Sequence, residues 1–272
     1  PEIRANLDRV YHLDEPLARQ YLDYLGHIAR GDFGPSFSYR DFSVNQLIGE
    51  GFRASAELGA SALVAALVLG LLMGGIAAAA SNSPLGRWLD RLIMTLAMTG
   101  IAIPSFVVAP ILTLVFGVYL AMLPAGGWGN GHQLAYKILP VTALALPQLA
   151  VIARLFRAGI IEAWRQPFIR TALAKGLPRW LILARHASKP ALLPVLSYLG
   201  PATAGIVTGS VVIEQIFSIP GIGRYFVQGA LNRDYTLVTG VVIFYGALVI
   251  LCNLAVDLLY GLLDPRMRIG RR

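Results

Sequence analysis

Long uncharged stretches alternate with short polar segments along most of this 272-residue chain. Five stretches lack Asp, Glu, Lys and Arg over about the 17 to 25 residues that a membrane-spanning helix needs, or come close to that length. They are residues 58–80, 92–123, 138–153, 190–213 and 235–256. The pattern predicts an all-α fold, a polytopic bundle of five membrane spans.

The stretch 138–153 is the shortest, at 16 residues. Arg154 and Arg157 can extend it by about one turn, because their aliphatic stems can lie in lipid while the guanidiniums reach the headgroups. We therefore predict a span here as well. The composition agrees, since 56% of residues are hydrophobic and only 14% are charged, against roughly 25% charged in a soluble domain.

Positive charge along the chain predicts the orientation of the spans. After residue 53, one set of alternate connections carries fourteen Lys and Arg residues and the other set carries three. Lys and Arg are retained on the cytoplasmic side of a membrane. The richer set, which includes the basic segment 154–189, is therefore predicted to be cytoplasmic. Residues 1–53 and the loops around Trp128 and Pro220 are predicted to lie outside.

These assignments divide the chain into an outer arm (1–53), a membrane domain (54–265) and a basic cytoplasmic tail (266–272). The membrane domain contains a cytoplasmic connecting region (158–189) and an outer loop (214–234). An arm that lies outside needs a signal or a preceding span to bring it across the membrane. The chain, however, opens at Pro1 with neither a methionine nor a signal peptide. We therefore expect that a first spanning helix is missing from this sequence.

The reactive residues do not form a recognisable chemical site. Cys252 is the single cysteine and lies inside the last predicted span, and the four histidines lack the spacing of metal ligands along a helix. No Ser/His/Asp arrangement or paired carboxylate is visible. Neither a catalytic nor a metal site is predicted. A nucleic-acid partner is not expected, because the basic residues adjoin membrane spans.

The middles of the predicted spans carry no ionisable residue, whereas ion- and proton-driven transporters place such residues there. Glu57 and Asp257 lie near span ends and fit interfacial residues or helix caps. The chain also lacks the glycine-rich phosphate loop of nucleotide-binding proteins. Any nucleotide that drives this protein is therefore predicted to bind another subunit.

The basic segment contains two short predicted helices. The first begins at Pro167, which suits the first helical position, and ends before Gly176, which suits the left-handed residue just past a helix end. Leu177 and Pro178 begin the second. A basic surface rich in small residues between two spans favours docking on a partner protein. The alternative is an amphipathic helix that anionic lipid holds at the membrane surface.

This segment resembles the coupling region of permease subunits from bacterial ABC importers, with Thr171, Ala172 and Gly176 followed by the Leu193-Pro194 pair. Arg170 stands where the general family motif has glutamate, as in the dipeptide and oligopeptide branch. Further matching stretches are GDFGPSF at 31–37, IPSF at 103–106, KPALLPVLSY at 189–198 and GALNRDY at 229–235. Together, from about residue 11 to residue 268, they resemble the B-type permease subunit of an oligopeptide importer.

The resemblance implies the type I permease fold, with six spans of which five are present, in a bacterial inner membrane. It also implies a second homologous permease, two cytoplasmic ATPases that bind ATP and magnesium, and an external peptide-binding protein. No cofactor would bind this chain. The implied ATPase-coupling residues are Phe168, Ile169, Arg170, Thr171, Ala172, Ala174, Lys175 and Gly176.

Polar, uncharged side chains in the proline-punctuated spans are candidates for the lining of a translocation path. They are Thr99, Ser105, Thr142, Gln148, Thr203, Thr208 and Ser210. For each hydroxyl, a bond to its own or a neighbouring helix is the alternative. Glycines at 70, 74, 75, 205 and 209 fit close helix packing instead.

The outer loop contains a turn at residues 219–223 followed by an amphipathic stretch too short to span the membrane. The resemblance implies contact with the binding protein through Trp128, Pro220, Gly221 and Arg224, while a structural plug fits the residues equally well. Alternative functions are a permease of the same architecture for dipeptides, nickel or glycosides and, less favoured, a channel or membrane enzyme.

Overall fold

The computed structural model describes residues 15–39, 41–81, 83–129 and 133–263, in which regular structure is helical apart from one isolated bridge between Pro35 and Ser43. The helices are α1 (Leu17–Ala29), α2 (Val44–Ala80), α3 (Pro84–Ala102), α4 (Ser105–Leu112), α5 (Ala135–Ala163), α6 (Pro167–Ala174), α7 (Arg179–Leu181), α8 (Ser188–Ile216), α9 (Ile222–Leu231) and α10 (Tyr235–Leu263). Wider π-helical turns prolong α4 over Thr113–Tyr119 and join α7 to α8 over Ile182–Ala187. The predicted all-α class is confirmed.

Within the described parts of the chain, four helical units are long and apolar enough to cross a membrane, namely Val44–Ala80, Ala135–Ala163, Arg179–Ile216 and Tyr235–Leu258. Each of them contains one of the predicted uncharged stretches. A fifth crossing is present if α3 and α4 are counted as one broken span.

The predicted span at 92–123 is not a single helix. The helices on either side of Ile103 and Pro104 meet at an angle of 104°. Ile103 has an extended backbone, with φ −105° and ψ 120°, because the ring of a following proline crowds the helical conformation of the residue before it. The span that the sequence predicts to be interrupted by Pro104 and Pro110 is therefore a sharply bent pair of helices.

The predicted boundary between arm and membrane domain, at residue 53, falls inside α2. That helix begins at Val44, where Ser43 and Gln46 form a reciprocal cap. The Ser43 hydroxyl accepts from the Gln46 amide at 3.2 Å, and the Gln46 side chain accepts from the Ser43 amide at 2.9 Å. The uncharged stretch 58–80 predicted only the apolar part of α2. The earlier turns of the same helix carry charged residues, so the sequence analysis assigned most of them to the arm. Residues 1–14 and the tail 266–272 lie outside the described residues.

The main core forms where α5 packs between α2 and α8. A Cβ added at Gly74 would lie 2.5 Å from the carbonyl oxygen of Ala153, and one added at Gly70 would lie 2.8 Å from the Ile152 side chain. The α2 and α5 backbones therefore touch. The structure confirms the prediction of close packing at these two glycines.

The bundle has two chemically different ends. We call the end that carries α6 and the first turns of α3 the basic end. We call the opposite end, which carries residues 15–43 and α9, the arm end. A second, smaller core at the arm end joins Val44 and Leu47 of α2 to Ile222 of α9 and Leu237 of α10.

Gly74→Ala tests the contact between α2 and α5, because the added methyl group forces the two backbones apart. We expect a loss of about 1–3 kcal/mol of stability, measured as a lower unfolding temperature of the purified protein. Gly246→Ala on α10 is the matched control, since no heavy atom lies within 4 Å of its added carbon. Equal unfolding temperatures for the two variants would contradict the packing.

Candidate functional site

Helix α6 is a short, rigid projection at the basic end. Pro167 occupies its first turn, as predicted, and Gly176 follows it with φ +74°. The Gly176 amide donates to the Leu173 carbonyl at 2.9 Å, and the Leu177 amide donates to the Ala172 carbonyl at 3.3 Å. A left-handed residue closed by two such bonds ends a helix sharply. The chain then turns at once into α7.

One side of α6 is fixed to the bundle. Ile169 is fully buried, Ala172 is 5% exposed, and both belong to the main core. Two of the eight predicted coupling residues are therefore buried in their own subunit and do not face a partner. Ile169 and Ala172 attach the helix to its own subunit, since helical spacing of three puts them on the same face.

The remaining residues form an exposed surface that we call the docking face. It consists of Phe168, Arg170, Thr171, Leu173, Ala174, Lys175 and Gly176. Phe168 is 45% exposed and Leu173 is 44% exposed, so large apolar side chains stand beside two cations and small residues. Phe168 and Arg170 are of the residue types that protein interfaces favour. The sequence analysis missed Leu173, whose exposed position is set by the orientation of α6.

A partly buried ion pair lies close to the basic end. The guanidinium of Arg157 on α5 donates two hydrogen bonds of 2.5 Å to the carboxylate of Asp90 on α3, and Asp90 is 5% exposed. Bidentate geometry fixes both side chains. Arg157 was expected to reach the lipid headgroups, but it turns toward α3. The one feature of the sequence that could have indicated this pair is Asp90, an acidic residue between Arg87 and Arg91.

The predicted path residues differ in what their polar groups contact. Five hydroxyls donate to carbonyls of their own helices, which is the alternative that the sequence left open: Thr99, Thr142, Thr203, Thr208 and Ser210. Gln148 instead accepts a 2.6 Å hydrogen bond from Tyr198 of α8. Ser105 is half-buried at the start of α4.

A cavity of about 250 Å³ lies between α2, α8 and α10. Thr203 and Ser210 are the two path candidates that line it, together with Ser55, Tyr245 and largely apolar side chains. Its wall carries hydroxyl groups but no charged side chain. The wall is mostly apolar, and the Thr203 and Ser210 hydroxyls already bond carbonyls of their own helix.

The four candidates for contact with a binding protein lie at the arm end but are not equally accessible. Pro220 and Arg224 are exposed, and Trp128 is half-buried with the Lys137 ammonium 5.3 Å from its ring centre. Lys137 also pairs with Glu57. Gly221 is buried against Glu214 and Ser55. The prediction that it contacts a binding protein is therefore corrected, because it serves packing inside the subunit.

Asp234 ties the arm to the start of α10. Its buried carboxylate accepts from the Ser36 hydroxyl at 2.5 Å, the Ser38 amide at 2.9 Å, the Thr236 hydroxyl at 2.9 Å and the Leu237 amide at 3.0 Å. Burial by itself raises the pKa of Asp234, but these hydrogen bonds outweigh it and hold the pKa below its ordinary value. The sequence motif that contains Asp234 gave no indication of this network.

The lowered pKa of Asp234 predicts acid release of the arm. The ionised Asp234 carboxylate stabilises the contact between the arm and α10 fully above the ordinary Asp pKa of about 3.9. This stabilisation is lost as the pH falls through the lower pKa of the folded state. We expect the amide protection factor of Ser38, measured by hydrogen exchange, to fall in that window. Asp234→Asn should give a lower protection factor that changes little with pH. A wild-type protection factor that stays constant through the window would contradict the network.

Comparisons with known proteins agree with this architecture. The family model of binding-protein-dependent transport system inner membrane components matches residues 52–269. The oligopeptide transport system permease protein OppB of Escherichia coli K12 is 54% identical over 268 residues, which are 98% of this chain and 86% of that protein. The dipeptide transport system permease protein DppB of Bacillus subtilis is 44% identical over 270 residues, 99% of this chain and 85% of that protein.

A chain of the MetNI methionine ABC transporter, solved in inward-facing conformations, has a TM-score of 0.67 to this structure. The match covers 80% of this chain and 97% of that chain at 16% identity, so it shows a shared fold. The resemblance noted in the sequence is thereby confirmed. The protein belongs to the family of binding-protein-dependent transport system inner membrane components.

Proposed function

We propose that this chain is the permease subunit of an ATP-driven importer that carries oligopeptides across a bacterial inner membrane. The observation that carries the proposal is α6, a short helix that Ile169 and Ala172 fix to the core and that presents a basic and apolar docking face. A folded projection of this kind, between two membrane-spanning helices, suits attachment to another protein.

In this proposal the basic end is cytoplasmic and two ATPase subunits serve the importer there, one of them on α6. ATP and magnesium bind those subunits, and this chain performs no chemistry of its own. When the ATPases move, α6 must move with them. Because Ile169 and Ala172 lie in the main core and α6 packs on the turn at Ile182–Ala187, that displacement passes through the turn to α5 and α8.

A second permease and an external binding protein complete the proposed importer, with the binding protein delivering peptide at the arm end. The relative at 54% identity is named for oligopeptides, which favours them as the substrate. A dipeptide importer is the second candidate, since the relative at 44% identity is named for dipeptides.

Peptide uptake by the assembled importer tests the function. The full chain, reconstituted in vesicles with the permease, ATPase and binding-protein subunits encoded with it, should take up peptides in an ATP-dependent manner. Uptake that is efficient for four- or five-residue peptides favours the first candidate, and uptake limited to two residues favours the second. No ATP-dependent uptake of either class would overturn the proposal.

Cysteine labelling tests the proposed orientation. In a Cys252→Ala background, Met122→Cys at the arm end should react with a membrane-impermeant maleimide added outside cells, because Met122 is 71% exposed. Ser83→Cys, at the exposed start of α3, should react only after the membrane is opened. The reverse pattern would place the basic end outside.

Charge reversal on the docking face tests coupling. Arg170→Glu with Lys175→Glu should weaken ATPase association about tenfold or more, because like charges across an interface cost several kcal/mol. Peptide uptake should fall while the unfolding temperature stays unchanged, since both side chains are exposed. Arg19→Gln in α1 is the control. Normal uptake by the double variant would exclude the docking face as the coupling surface.

A further inference from the structure

Glu214 is a fully buried carboxylate on the last turn of α8, at the arm end. Among the described residues, no Lys or Arg forms an ion pair with it. A buried carboxylate without a cation is unfavourable unless hydrogen-bond donors compensate for the lost water. The sequence analysis placed Glu214 at the edge of the outer loop and gave it no role.

The donor comes from the first turn of α9. The Gly223 amide donates to Oε2 of Glu214 at 2.7 Å, and the neighbouring Ile222 amide donates to the Ser55 hydroxyl of α2 at 2.9 Å. Both amides belong to the group that a helix start leaves without internal partners. The positive end of the α9 dipole also favours a carboxylate here. The start of α9 is therefore bonded to α8 and α2 at once.

Glycines allow α9 to lie this close. A Cβ at Gly223 would lie 2.5 Å from Cα of Val211 on α8, and a Cβ at Gly51 of α2 would lie 2.7 Å from the Ile222 amide nitrogen. A Cβ at Gly221 would collide with the Glu214 carboxylate and the Ser55 hydroxyl. The three positions leave no room for an intervening side chain, so α9 rests directly on both spans.

The same contact closes one side of the cavity between α2, α8 and α10. Ile222 is part of the cavity wall, and so are Ser55, Ser210 and Tyr245. Lifting the start of α9 would remove Ile222 and open the cavity toward the arm end.

We propose that the bonds of Glu214 and Ser55 to α9 form a latch that holds the start of α9 closed over the arm end of this cavity, and that the latch opens when the ATPases bind ATP. This inference rests on the proposed function. In the closed state the carboxylate lies beside the hydroxyls of Ser55, Ser210 and Tyr245, and no Lys or Arg of the described residues neutralises it. Opening lets water reach the carboxylate, and its solvation offsets the bonds that are lost. The latch is therefore reversible.

Hydrogen exchange in the complete importer tests the latch, because it reports directly on the amides of Ile222 and Gly223. Exchange of residues 219–226 is compared without nucleotide and with ATP bound to hydrolysis-deficient ATPase subunits. The variants are Glu214→Leu, which removes the acceptor at similar size, and Glu214→Gln, which keeps an acceptor. Glu50→Gln is the control, since Glu50 bonds Tyr225 of α9 at 3.2 Å in an exposed position.

In the wild type we expect slow exchange without nucleotide and exchange about tenfold faster with ATP, the size expected for the loss of a charged hydrogen bond. Glu214→Leu should exchange fast in both states, so that the effect of ATP disappears. Glu214→Gln should retain part of that effect, and Glu50→Gln should behave as the wild type.

Two results would overturn the latch. One is protection in Glu214→Leu equal to the wild type. The other is faster exchange in Glu214→Leu that ATP still accelerates about as much as in the wild type. That result would show that the Glu214 bond is purely structural. Failure of the proposed function is separate, because it would appear as absent peptide uptake by the wild type even if Glu214→Leu abolishes the nucleotide effect on exchange.

Discussion

Direct contact between the backbones of α2 and α5 is the constraint on which the rest of the bundle depends. Lipid offers apolar side chains as good an environment as a neighbouring helix does, so helices associate in membranes through close packing. Gly70 and Gly74 permit that packing along the middle of α2. The cores that hold α8 and α6 are then built on α5. A shift between α2 and α5 would displace every element that the proposed function uses.

Polar networks set the register of the two ends. Near the basic end, Arg157 and Asp90 join α5 to α3. At the arm end, Asp234 joins the arm to α10, and Glu214 joins α8 to α9. Such bonds are directional, whereas apolar contacts allow sliding. The apolar middle therefore determines how close the helices lie, and the networks determine which residues face one another.

The sequence predicted the features that depend on local chemistry. Uncharged length located the helices, and Pro167 with Gly176 marked both ends of α6. Long-range features were missed, because partners such as Asp90 and Arg157 are separated by 67 residues and no local pattern joins them. The burial of Ile169, Ala172 and Gly221 was missed for a related reason, since the face that a short helix or turn buries depends on what packs over it.

The two faces of α6 place different demands on its sequence. Ile169 and Ala172 are constrained by folding of the subunit itself, whereas the residues of the docking face are constrained only by whatever binds there. Mutations on the docking face can therefore accumulate without loss of stability of the subunit. Binding is kept where matching changes arise in the bound protein. Related permeases can in this way diverge in the protein that binds this face while they keep one architecture.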